Sequence, residues 1–64
     1  MEQNAALTLI SGAFEEAPHR LYKKAVKSDG GGKYIELAFI SRQVGGRYRP
    51  TLEALQVESG WRIT

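Results

Sequence analysis

The 64 residues predict a mainly β fold: a single small domain, residues 1–64, in which four or five antiparallel strands meander and curl into a small barrel, SH3-like or similar. Three observations predict it. Between Lys33 and Ser41 the apolar residues Ile35, Leu37 and Phe39 alternate with Tyr34, Glu36 and Arg42, the period of a strand with one buried face. Glycines punctuate the C-terminal half at Gly30-Gly31-Gly32, Gly45-Gly46 and Gly60, where hairpin turns need backbone that tolerates positive φ. The chain also contains no cysteine, so no disulfide framework or zinc ribbon compensates for its size, and packing or a partner must do so.

The N-terminal third reads two ways. Leu7, Ile10 and Phe14 have helical spacing and Asn4 is placed to cap, whereas Thr8, Ile10 and Gly12 are weak helix formers. If the stretch is helical, the fold becomes α+β, with one N-terminal helix packed on a four-stranded antiparallel sheet. Arg20 to Ser28 is divided as well. Pro18 and the pairs Leu21-Ala25 and Tyr22-Val26 suit a helix, but as a strand Tyr22 and Val26 meet Phe39 and Ile35 across an Asp29-to-Gly32 turn. The strand is preferred, because it gives both apolar residues apolar partners.

Gly45-Gly46 then predicts a two-residue hairpin in which Phe39 faces Leu52 and Leu37 faces Ala54. Glu58-Ser59-Gly60 predicts a second turn that sets Val57 opposite Trp61 and Leu55 opposite Ile63. The two turns conflict in parity. Leu52 and Ala54 are even while Leu55 and Val57 are odd, so a β-bulge near Glu53 to Leu55 is needed to bring the apolar set onto one side.

Nine Lys and Arg against seven Asp and Glu leave a net charge of +2, too little to mark a nucleic-acid binder by composition. The distribution says more. No acid lies between Glu36 and Glu53, and Arg42, Arg47, Tyr48 and Arg49 crowd the Gly45-Gly46 turn. Arginine forks suit phosphate and Tyr48 offers a face for stacking on a base. A second basic run, His19, Arg20, Lys23, Lys24 and Lys27, has no acid between Glu16 and Asp29, and Lys33 lies just beyond. The sequence therefore predicts a non-catalytic module that binds nucleic-acid phosphates through a basic β-hairpin, with Arg42, Arg47, Tyr48 and Arg49 at the contact and Lys23, Lys24, Lys27 and Lys33 in support. The plain alternative is that these charges keep the chain soluble and guard a sheet edge.

A rival function is a small protein-interaction module or regulatory subunit, acting as a homodimer or bound to a larger partner. Tyr34 and Ile40 fall opposite the Ile35-Leu37-Phe39 face, and Trp61 either plugs the core against Val57 or anchors a partner. Chemistry is expected to be absent. His19 is the only histidine and no serine sits in a nucleophile turn, so no catalytic residue, metal site, cofactor or small-molecule substrate is predicted. Neither a signal peptide nor an apolar run of membrane-spanning length is recognisable, which gives the expectation of a soluble, cytoplasmic protein without membrane association.

Overall fold

The computed structural model describes residues 1–19 and 21–64, so Arg20 of the second basic run lies outside the described residues. Helix α1 spans Gln3–Phe14, strand β1 Lys23–Asp29, strand β2 Gly32–Ala38, helix α2 Arg42–Arg47 and helix α3 Arg49–Ser59. Residues 62–64 then return alongside β2.

Helix α1 forms because one face repeats every four residues: Ala6, Ile10 and Phe14 are all buried. Its cap is Glu2, whose side chain accepts from the Ala5 N–H at 2.9 Å, rather than Asn4. The β-hairpin follows the predicted register, with Val26 opposite Ile35 and Lys24 opposite Leu37. At its turn the Asp29 carboxylate accepts from the Gly31 N–H at 2.8 Å, and Gly32 takes φ +103°, which only glycine adopts without strain. Directly opposed side chains share a face. Ile35 and Leu37 therefore turn towards α1 and enter a core with Ala6, Ile10, Phe14, Leu55 and Ile63, while Tyr34 and Glu36 lie on the reverse.

The barrel does not form, and the reason lies in residues 42–59. Where a hairpin and a bulged strand were predicted, the chain is helical. Tyr48, Leu52, Leu55 and Ser59 are spaced by four, three and four, so one face turns them inward without any bulge, Leu55 and Ser59 buried and Tyr48 and Leu52 half-buried. The parity conflict was thus a helical period read as a strand. Gly45-Gly46 sits inside α2 and not in a turn; the Ser41 hydroxyl caps that helix by accepting from the Val44 N–H at 3.2 Å. Pro50 lies in the first turn of α3, where its missing N–H costs nothing. Gly60 does adopt the left-handed conformation, φ +73°, but as the C-cap of α3, donating to the Gln56 carbonyl at 2.9 Å.

The α+β alternative is therefore the nearer one, although only in part. An N-terminal helix packs on an antiparallel sheet, but that sheet has two strands and not four. A parallel bridge between Ile35 and Ile63 extends it. Ile35 N–H donates to the Arg62 carbonyl at 2.9 Å, Thr64 N–H to Ile35 at 3.0 Å, and Leu37 N–H to Thr64 at 2.9 Å. The predicted pair of Val57 with Trp61 is absent: Val57 is 87% exposed, and the Trp61 indole N–H donates to the Met1 carbonyl at 2.7 Å.

Candidate nucleic-acid interface

A groove of about 660 Å³ opens where the end of β2, the two C-terminal helices and residues 62–64 meet. Leu37, Phe39, Leu52 and Ile63 supply apolar lining, and Gly45 and Gly46 lie along the α2 side. Arg42, Arg49, Glu53 and Gln56 supply the polar lining. Arg42 and Arg49 open α2 and α3 respectively. Both side chains reach the same groove.

Neither guanidinium has a carboxylate within 4 Å among the described residues, and the same holds for Arg47 and Lys33. Glu53 puts one negative charge on the groove lining. The two glycines matter through what they lack. A Cβ on Gly46 would meet no atom within 4 Å, and one on Gly45 would rest on the Phe39 ring at 3.4 Å. A ligand's own backbone can therefore approach the helix main chain closely between the two arginines.

Of the residues the sequence proposed for nucleic acid, Arg42 and Arg49 come together here and the others do not. Arg47 is exposed in the last turn of α2 and is not part of the groove lining. Tyr48 turns into the molecule. Its ring stacks on Phe39 with centroids 5.5 Å apart, meets Phe14 edge-on at 5.2 Å, and its hydroxyl lies 3.3 Å from His19 Nδ1. The expected platform for a base is thus a packed core ring, and the finger-like hairpin that was to carry it is replaced by helix.

The lysines are dispersed over the hairpin. Lys23 and Lys27 share Glu36, at 3.9 and 3.2 Å. Lys24, on the core face of β1, reaches across to α1 and donates to the Leu7 carbonyl at 3.3 Å and to Ser11 Oγ. Lys33 is exposed near the turn. The residues proposed for a protein partner are equally scattered: Tyr34 lies beneath Arg62, Trp61 is half-buried, and only Ile40, 64% exposed, is freely presented.

One cluster was not legible in the sequence. Arg62 donates to Asp29 Oδ1 at 2.7 Å and to the Gly32 carbonyl at 3.4 Å, and its guanidinium covers the Tyr34 ring at 4.7 Å. The bond from Arg62, aided by the Gly31 N–H, holds the Asp29 carboxyl below its ordinary range. These partners are 33 residues apart, so no local pattern links them.

Among the described residues no group of three His, Cys, Asp or Glu is placed to hold a metal ion, and no helix is long and apolar enough to cross a membrane. Comparison with protein-family models, with curated proteins and with solved structures finds no match for this chain.

Proposed function

We propose that the protein is a non-catalytic module that binds single-stranded nucleic acid in the groove between β2 and the two C-terminal helices. The observation that carries this reading is the pair of arginines, Arg42 and Arg49, with no carboxylate within 4 Å among the described residues, lining one groove together with Gly45, Gly46, Phe39 and Leu52. Guanidinium groups take phosphate oxygens as charge-assisted, forked hydrogen bonds. Phe39 and Leu52, both half-buried, offer apolar surface to bases, which a single strand presents and a duplex keeps stacked within itself. Gly45 and Gly46 let a sugar-phosphate backbone pass close to the helix. Affinity comes mainly from counterion release, with little reading of base identity.

The test is a fluorescence-anisotropy titration with labelled oligothymidine, a mixed-sequence RNA and a hairpin duplex, each at two salt concentrations. With about two phosphate contacts, from Arg42 and Arg49, the logarithm of single-strand affinity should fall against the logarithm of salt with a slope of about −1.4. Arg42→Glu with Arg49→Glu should weaken binding about tenfold or more, and Arg47→Glu less. Absent or salt-independent binding would overturn the reading. An acidic peptide that binds where every oligonucleotide fails would reassign the groove to a protein partner.

A further inference from the structure

Two of the groove's lining residues, Ile63 and Thr64, come from a strand segment of only three residues. Three inter-strand hydrogen bonds and one bond from the Ile63 N–H to Gln56 Oε1, 2.9 Å, hold its backbone. Ile63 is also buried in the core, and one side-chain tie pins the segment further. Here the pin is Arg62, which points away from the groove to the reverse of the sheet, where it grips the hairpin turn through Asp29 and the Gly32 carbonyl and lies over Tyr34. The Asp29 carboxylate is itself oriented by the Gly31 N–H. Neither Asp29 nor Arg62 belongs to the groove lining.

We propose that Asp29 and Arg62 form a latch that positions the Ile63-Thr64 wall, so that two residues outside the groove set how well it binds single-stranded nucleic acid. The inference rests on the reading above for its ligand, but not for its mechanics. When the latch opens, residues 62–64 leave β2, the groove loses one side, and apparent affinity falls in proportion to the fraction still docked. Both partners are half-exposed, so the effect is graded and weakens with salt.

The sign of one substitution separates this from plain electrostatics. Asp29→Asn keeps an oxygen for the Gly31 N–H and removes one negative charge, which by charge alone strengthens binding to a polyanion. The latch requires the opposite. Glu58→Gln, which removes an equal charge from a residue with no ion pair among the described ones, is the matched control. The experiment measures amide hydrogen exchange at Thr64 and oligothymidine affinity for parent, Asp29→Asn, Arg62→Gln and Glu58→Gln. Thr64 exchange should quicken about two- to fivefold in the first two variants only, and Asp29→Asn should bind more weakly than Glu58→Gln. Unchanged Thr64 exchange, or Asp29→Asn binding as tightly as Glu58→Gln, overturns the latch. Should the parent bind no oligonucleotide, the nucleic-acid reading fails by itself, and Thr64 exchange alone decides whether the latch exists.

Discussion

The ring of Tyr48 lies flat against that of Phe39, 5.5 Å between centroids and 5° between planes. This stack joins the single-residue junction between α2 and α3 to the residue that follows β2, and Phe14 of α1 closes on both rings at 5.6 and 5.2 Å. Because Phe39 also lines the groove, the same contact that orders the core shapes the site. Tyr48 acts from behind the binding surface.

Tyr48→Ala removes a half-buried aromatic ring at the centre of this cluster and should cost about 2–4 kcal/mol of stability, read from chemical denaturation. Tyr48→Phe keeps the stack and loses only the 3.3 Å contact with His19, so it should cost less than about 1 kcal/mol and leave oligonucleotide affinity unchanged. A large loss of affinity in the folded Phe variant would return Tyr48 to the binding surface.

Gly46→Ala should separate stability from function. The residue is helical, has no positive φ, and a Cβ there meets open space. Alanine should therefore stabilise α2 by about 0.5–1 kcal/mol and raise Tm by a few degrees, while its methyl keeps a ligand backbone from close approach. Calorimetry and the anisotropy titration should move in opposite directions.

Gly60→Ala should behave differently, since φ +73° at the α3 C-cap costs a residue with a Cβ about 1–2 kcal/mol. The chain must reverse here to send Trp61 and Ile63 back to the sheet. The measurement is again a denaturation curve, and a neutral result would mean that this turn has another conformation in solution.

Acid should release the latch. The Asp29 carboxyl titrates lower in the folded protein than in the unfolded chain, because Arg62 and the Gly31 N–H favour its charged form. Its contribution is therefore complete above the ordinary carboxylate range and is lost as pH falls through the folded value. An NMR titration should show the Asp29 side chain and the Ile35 amide, which donates to the Arg62 carbonyl, changing together below about pH 4, with the Ile35 change absent in Asp29→Asn.

Much of the hairpin was legible because its information is local. Alternation at Ile35 and Leu37, apolar partners at Val26, and a glycine turn after Asp29 each point to the same register, and the structure has that register. The second half misled because Gly-Gly has two meanings. Between strands it marks a turn, but in α2 it is helical backbone that leaves room beside Phe39. The signal that would have resolved it was present in the four-three-four spacing of Tyr48, Leu52, Leu55 and Ser59, which needs no bulge. For the site, Arg42 and Arg49 were legible as an acid-free cationic cluster. The groove between them was not, because Leu37, Leu52 and Ile63 come from separate elements.

By itself the amino-acid sequence determined strand β2 and, once Lys23–Asp29 was read as extended, the register of the β-hairpin, since each depends on residues a few positions apart or on simple alternation. Tertiary structure decided that residues 42–59 are helical, that Tyr48 faces inward, and that Arg62 reaches Asp29. Those outcomes turn on which surfaces are buried together, and burial is a property of the packed chain and of no single stretch of it.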